Sequence, residues 1–129
     1  SSLVKAYRMQ DKVRGVGFDW DHADQVWNKV EEEIGEFQAE IAAGSERAID
    51  EFGDVLFALI NYARFKGINP DEALERTNRR FQARFEHMER EIKSHEAQGG
   101  KAMVDMDLAE MDAYWNRAKA ALKDDKTGA

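Results

Sequence analysis

Apolar residues recur every three or four positions through most of this chain, and no stretch alternates apolar and polar residues as a half-buried strand does. Gly44 and Gly67 follow two of these periodic segments, and Asn69 with Pro70 opens another in the manner of a helix N-terminus. The pattern therefore predicts an all-α protein, a four-helix bundle with antiparallel helices. The four helices are predicted over residues 21–43, 46–66, 70–98 and 107–122.

Length and composition narrow the class further. The 129 residues fit a single domain, in which residues 1–20 are expected to lead into the bundle and residues 124–129 to fray. The absence of cysteine excludes disulfides and thiolate metal sites and fits a cytoplasmic setting. A net charge of −7 disfavours binding to a nucleic-acid polymer, and no apolar stretch approaches the ~18 residues of a membrane span.

Two acidic pairs lie on either side of the predicted turn at Gly44. Glu33 and Glu36 flank the apolar face of the first helix, and Glu51 and Asp54 lie on the second. Because the turn is short, the helices are expected to fold back as antiparallel neighbours and bring the pairs level. Two carboxylates ~4 Å apart repel by about 4 kcal/mol at an effective dielectric constant of ~20. Oxygen-liganded divalent cations relieve such repulsion, so the pattern favours a magnesium site.

The second predicted helix is apolar nearly all round. Between positions 55 and 60 only apolar residues occur, which implies burial on more than one side and favours a dimer. Its core face is predicted to consist of Val55, Leu56, Leu59 and Ala63.

The acidic segments also carry a family resemblance. The stretches "KVEEEIGEF" and "DEFGDVLFALIN" resemble the ExxE and ExxD motifs of the MazG-type all-α nucleoside triphosphate pyrophosphohydrolases. The flanking stretches "AYRMQDKVRGVGFDW", "NRRFQARFEHMEREI" and "LAEMDAYWNRAK" resemble the second domain of tandem MazG proteins, in the same order. The resemblance thus extends from about Ala6 to Lys119.

This resemblance implies an activity and a set of roles. Members hydrolyse nucleoside triphosphates to the monophosphate and pyrophosphate as homodimers, using Mg²⁺, for which Mn²⁺ is a possible substitute. A role in nucleotide-pool sanitation is the matching expectation. The implied metal ligands are Glu33, Glu36, Glu51 and Asp54, with Glu32 as a further catalytic acid. The implied substrate contacts are Lys29, Asn61, Arg80, Arg84, Trp115 and Lys119.

The residues bear on three other functions as well. A non-catalytic helical dimerisation module, with the acidic residues as an ion-binding face, remains open. A di-iron carboxylate bundle needs Glu-x-x-His ligand sets, and the sequence contains none. A calcium-binding EF-hand needs a loop of alternating acids around a glycine, which is also missing. As an alternative to binding phosphate, the basic side chains of the third predicted helix could pair with glutamates on neighbouring turns; these are Arg79, Arg80, Arg84 and Arg90.

Overall fold

The computed structural model describes residues 1–123, and over this range it contains helices and no strand. This confirms the all-α prediction, although the described residues form five α-helices rather than four. The residues expected only to lead into the bundle fold as a helix of their own, α1. The five helices are α1 Ser2–Arg14, α2 Ala23–Ala43, α3 Ala48–Phe65, α4 Pro70–Glu96 and α5 Leu108–Ala121, with a short 3₁₀ helix at Met103–Asp105. The predicted fraying of residues 124–129 lies outside the described residues.

The described chain divides into two compact units, with the boundary between Ala73 and Leu74 in the first turn of α4. The first unit contains α1, α2 and α3. The second contains most of α4, together with α5. The single-domain prediction is not tested by this division.

An antiparallel hairpin of α2 and α3 forms the centre of the first unit. The helices are joined at Gly44, whose φ of 65° ends α2 in the left-handed conformation that glycine adopts without strain. Aromatic rings of the two helices are in contact at both ends of the hairpin. The ring centroids of Phe37 and Phe52 lie 5.3 Å apart near the turn. Trp27 lies 4.9 Å from Tyr62 at the far end of the hairpin. The predicted antiparallel arrangement is confirmed for these two helices.

The apolar core of the first unit differs from the predicted face of α3. Val55 is buried as predicted, but the other buried residues of this helix are Ala58 and Ile60. Leu56 and Leu59 were predicted in the core and are 46% and 40% exposed in the single chain. The prediction was wrong because it assumed one packing partner, whereas α3 packs against α1 as well as α2. The buried apolar residues of the unit are Ala6, Val26, Val30, Val55, Ala58 and Ile60.

A salt bridge ties the segment after α1 to the end of α3. An Nη atom of Arg64 lies 2.7 Å from an Asp19 carboxylate oxygen, and the Arg64 side chain is buried. Arg64 also donates to the amide oxygen of Asn61. The hydrogen bond from Arg64 lowers the pKa of the Asp19 carboxyl. The pair therefore fixes the loop between α1 and α2.

Within the second unit, α4 and α5 are joined by polar and aromatic contacts. Arg117 on α5 lies 2.9 Å from a carboxylate oxygen of Glu91 on α4. Further along, His95 and Tyr114 share a hydrogen bond of 2.6 Å. Asp107 caps α5 and forms the predicted capping box with Glu110. Asn69 likewise accepts from the backbone at the start of α4, as its sequence position predicted.

None of the helices formed by residues 1–123 combines the length and the apolar character that crossing a membrane requires.

Replacing Asp19 by Asn tests the salt bridge. Arg64 would keep its Asn61 contact but lose its charged partner, so we expect the free energy of unfolding to fall by about 1–3 kcal/mol at neutral pH. Because the folded pKa of Asp19 is lowered, its contribution exists above the unfolded pKa and is lost as the pH falls through the folded value. Urea denaturation across pH should show the two proteins converging in acid. The exposed neighbour Asp21, changed to Asn, is the control; an equal effect there would contradict the assignment.

Candidate metal centre

Three carboxylates from both helices of the hairpin converge in the first unit. Glu33 and Glu36 lie on α2 and Glu51 lies on α3, and one oxygen from each lies within 4.8 Å of those of the other two. The i, i+3 spacing places the two α2 residues on one face, and the antiparallel turn brings α3 beside them. Residues distant in the sequence thus meet at a single point, as the acidic pairs predicted.

The three carboxylates differ in their surroundings. Glu33 is 7% exposed and receives one salt bridge, from Lys29 at 3.0 Å. Lys29 also reaches Glu32, which is exposed, at 3.1 Å. These two hydrogen bonds, to Glu33 first and then to Glu32, raise the pKa of Lys29 and keep it protonated. Lys29 therefore faces the cluster, but it neutralises only one side of Glu33.

Apart from the Lys29 pairs, no salt bridge among residues 1–123 neutralises the cluster. Repulsion from Glu33, together with desolvation and the nearby Glu51, raises the pKa of the Glu36 carboxyl. One buried oxygen on Glu33 and one on Glu51 have no hydrogen-bond partner among the described residues. Buried acceptors without partners are unusual and costly. A hard divalent cation takes oxygen ligands of this kind, so the residues present fit Mg²⁺.

Asp54 and Asn61 are not part of the convergent cluster. Asp54 is exposed one turn beyond Glu51 on α3, and its carboxylate is not among the oxygens that lie within 4.8 Å of one another. Asn61 lies two turns further along α3, where its amide oxygen accepts from Arg64. The structure thus brings together three of the four predicted metal ligands.

The other predicted substrate residues belong to the second unit. Arg80 donates to Thr77 one turn earlier. Arg84 has a buried Nε atom without a hydrogen-bond partner in the part of the chain that is described. The ring centroids of Trp115 and Phe81 lie 5.2 Å apart. Lys119 is exposed near the end of α5. The alternative, that this basic stretch only pairs with neighbouring glutamates, fits Arg79, which lies 4.0 Å from Glu75.

Comparison with known proteins shows the family of this chain. The family described as the MazG nucleotide pyrophosphohydrolase domain matches residues 23–89, a range that includes Glu32, Glu33, Glu36, Glu51 and Asp54. The chain belongs to the MazG family.

Curated relatives are similar to most of this chain. The chain is 35% identical over 118 residues to the nucleoside triphosphate pyrophosphohydrolase/pyrophosphatase MazG of Thermotoga maritima. It is 36% identical over 121 residues to the nucleoside triphosphate pyrophosphohydrolase of Escherichia coli K12. Each alignment covers 92% of this chain and 44% of the relative, so the chain spans less than half of either protein's length. The uncharacterized protein YabN of Bacillus subtilis is 49% identical over 69 residues, which are 54% of this chain and 13% of YabN.

The sequence pattern did not predict one feature of this MazG domain, the cavity beside α1. Gln10 on α1 is buried, and with Phe18, Trp20, Phe57 and other residues it lines a cavity of about 630 Å³. The signal was present, because Ala6 and Gln10 are four residues apart and share one face of a helix. Without a predicted helix over these residues, no face could be assigned to them.

Replacing Glu36 by Gln separates repulsion from metal binding. Because the folded chain raises the pKa of Glu36, its ionised form opposes folding, and the neutral amide should raise the midpoint of thermal unfolding in EDTA at neutral pH. The same variant should lose the increase in midpoint that Mg²⁺ gives the unmodified protein, since a ligand is missing. Thermal unfolding with and without Mg²⁺ measures both. A variant that gains nothing in EDTA and keeps its full response to Mg²⁺ would contradict the site.

Proposed function

We propose that this MazG domain hydrolyses nucleoside triphosphates to the monophosphate and pyrophosphate with Mg²⁺ as cofactor, Mn²⁺ being a possible substitute. The observation that carries the proposal is the convergence of Glu33, Glu36 and Glu51. One buried oxygen of Glu33 and one of Glu51 have no hydrogen-bond partner within residues 1–123. The Thermotoga and Escherichia relatives, both named as nucleoside triphosphate pyrophosphohydrolases, agree with it. Pyrophosphate release requires charge neutralisation at the phosphates, which carboxylates alone cannot provide.

Glu33, Glu36 and Glu51 would hold the metal, with Asp54 as the fourth proposed ligand. When bound, the cation neutralises phosphate charge and lowers the pKa of a coordinated water. Asp54 is exposed on the turn after Glu51, so a change of side-chain rotamer is the movement that could bring it to the cluster. The buried Glu33 is the most fixed of the four, because Lys29 and the hairpin core hold it.

Lys29 and Glu32 have distinct roles in this proposal. Lys29 stays protonated through its contacts with Glu32 and Glu33, so it orients both carboxylates and presents a cation to a phosphate oxygen. Glu32 is exposed and outside the convergent cluster, and we propose that it accepts a proton from the water that attacks the α-phosphorus. Undiminished turnover by the Glu32→Gln variant would contradict that role.

The remaining substrate contacts rest on the resemblance. Arg80 and Arg84, about one turn apart on α4, are suited to forked contacts with a triphosphate. Trp115 and Lys119 are the proposed aromatic and basic contacts with the nucleotide. A cytoplasmic setting and a role in nucleotide-pool sanitation belong to the same proposal.

We also propose that the protein is a homodimer. Phe52, Leu56 and Leu59 on α3 are large, apolar and about half exposed in the single chain. Exposed apolar side chains that recur every three or four residues along a helix form a patch on one face, which is typical of a protein–protein interface. A monomeric mass in light scattering at micromolar concentration would contradict this.

A panel of canonical and damaged nucleoside triphosphates with Mg²⁺ tests the activity. Products should be the monophosphate and pyrophosphate, separated by ion-exchange chromatography. Replacing Glu51 by Gln should lower kcat/KM by at least about a hundredfold, because the α3 ligand of the ion that both helices hold is lost. The matched control is Asp50→Asn, an exposed carboxylate on the adjacent position of α3, which should retain activity.

Either of two results would contradict the proposal. Release of phosphate and a diphosphate would place the cleavage at a different phosphorus. No turnover of any nucleotide, with unchanged metal binding, would favour the alternative of a non-catalytic module with an ion-binding acidic face.

A further inference from the structure

A second cavity in the first unit, of about 370 Å³, lies where α2 begins and α3 ends. Two aromatic side chains, Trp27 and Tyr62, line it together with the carboxylate of Asp24 and the amide of Asn28. Its volume is at the small end of the range for ligand sites in proteins. Two rings on one side and two polar groups on the other suit a small planar group that also forms hydrogen bonds.

The indole of Trp27 is only partly used by the hairpin core. Its ring centroid lies 4.9 Å from that of Tyr62, but the two planes are tilted by 59°, so the rings do not cover each other. Trp27 is 43% exposed, whereas its neighbours Val26 and Val30 on α2 are fully buried. An uncovered indole face attracts cations, and the planar guanidinium group of arginine stacks on it especially well.

The polar groups of this cavity are free to bind a ligand. No hydrogen bond or salt bridge within residues 1–123 occupies the side chains of Asp24 and Asn28. The nearest basic side chain on α3 follows Tyr62 by four residues: the Nζ atom of Lys66 lies 5.7 Å from the centroid of the Tyr62 ring. This cation–π contact leaves Asp24 without a charged partner among the described residues.

The charges around the cavity favour a cation over an anion. Asp24 and Glu31 are seven residues apart, which places both on the same flank of α2, and both are exposed. A phosphate or carboxylate ligand would be repelled by these two groups. A carboxylate instead accepts two parallel N–H bonds from a guanidinium group, which is the strongest common pairing of this type.

The cavity is separate from the carboxylate cluster. At 3.6 residues per turn, the side chains of Trp27 and Glu33 project about 120° apart around α2, on opposite flanks of the buried Val30. The six residues between them correspond to about 9 Å along the helix axis. A ligand in the cavity would therefore not occupy the proposed metal site.

We propose that this cavity binds a guanidinium group, which stacks on Trp27, donates two N–H bonds to Asp24 and donates a third to the amide oxygen of Asn28. Two sources carry this group, a free alkylguanidine and an arginine side chain of a second copy. The second source is relevant because Tyr62 follows Leu59 by three residues, so the cavity adjoins the apolar face of α3 proposed as the dimer interface. Nucleotide hydrolysis is not required for this binding.

A set of three small probes tests the site in the unmodified protein. The probes are ethylguanidinium, the neutral planar analogue ethylurea and the non-planar cation propylammonium. Their binding is followed by NMR through the indole N–H of Trp27 and the side-chain amide of Asn28. Ethylguanidinium should bind at least about tenfold more tightly than ethylurea, because the charge-assisted hydrogen bonds are lost in the urea. Propylammonium should bind about threefold more weakly than ethylguanidinium, because it lacks the planar face.

Variants assign the binding to the named side chains. Asp24→Asn should weaken ethylguanidinium binding by about tenfold, and Trp27→Leu by about fivefold, read in the second case from Asn28. The matched control is Asp21→Asn, an exposed carboxylate that does not line the cavity and should leave the affinity unchanged. Thermal unfolding checks that Trp27→Leu is folded, and Asp24→Asn alters only an exposed side chain.

The dependence on protein concentration separates the two sources. If an arginine of a second copy occupies the cavity, Asp24→Asn should raise the dissociation constant of the dimer about tenfold, and ethylguanidinium should bind more weakly as the dimer forms. If the group comes from a free molecule, neither quantity should change with dimerisation. Equal binding of ethylguanidinium and ethylurea would overturn the assignment. An affinity for ethylguanidinium that is the same in Asp24→Asn and Asp21→Asn would overturn it as well.

Discussion

Repulsion among carboxylates that the fold forces together is the interaction on which this molecule's chemistry depends. Glu33 and Glu36 approach Glu51 because the α2–α3 hairpin packs Val30 and Val55 into one core. Hydrophobic burial therefore holds together a cluster that its own charges oppose, and Lys29 compensates only part of it. A site of this kind is strained without a cation and satisfied with one. The proposed metal affinity is thus a consequence of the packing of the hairpin.

The helix α3 carries side chains of both the acidic cluster and the cavity beside α1. Its first turns carry Glu51 and Asp54, and its later turns carry Asn61 and Arg64. Arg64 holds the loop after α1 through Asp19. The aromatic wall of the cavity and the acidic cluster therefore depend on the same helix. Because one rigid helix carries residues of both, it fixes the distance between the cluster and the cavity.

The sequence predicted the parts of this structure that depend on local rules. Helical spacing and the end signals at Gly44, Asn69 and Asp107 located four helices, and the two acidic motifs predicted a cluster across the turn. The exposure of Leu56 was not predictable, because which side of an all-apolar helix is covered depends on every partner that packs on it. The same limit applies to Asp54, since a period of 3.6 residues cannot specify the last few ångströms between side chains.

The cavity was missed for a different reason. Its residues come from α1, the loop after it and α3, and no single stretch shows their association. The polar character of Gln10 made residues 1–20 look less like a helix with a buried face, whereas in the folded chain its amide is fixed to the carbonyl of Phe57. Buried polar residues often contribute function rather than stability, and they weaken the hydrophobic pattern from which helices are predicted.

A double-mutant cycle in Mg²⁺ affinity tests most directly whether carboxylates from both helices hold one ion. Glu33→Gln and Glu51→Gln, alone and together, would be titrated with Mg²⁺ by calorimetry. A shared ion predicts that each single change weakens binding by at least about tenfold and that the double change costs much less than the product of the two. Independent effects that multiply, or a Glu51→Gln variant that binds Mg²⁺ as tightly as the unmodified protein, would contradict the account.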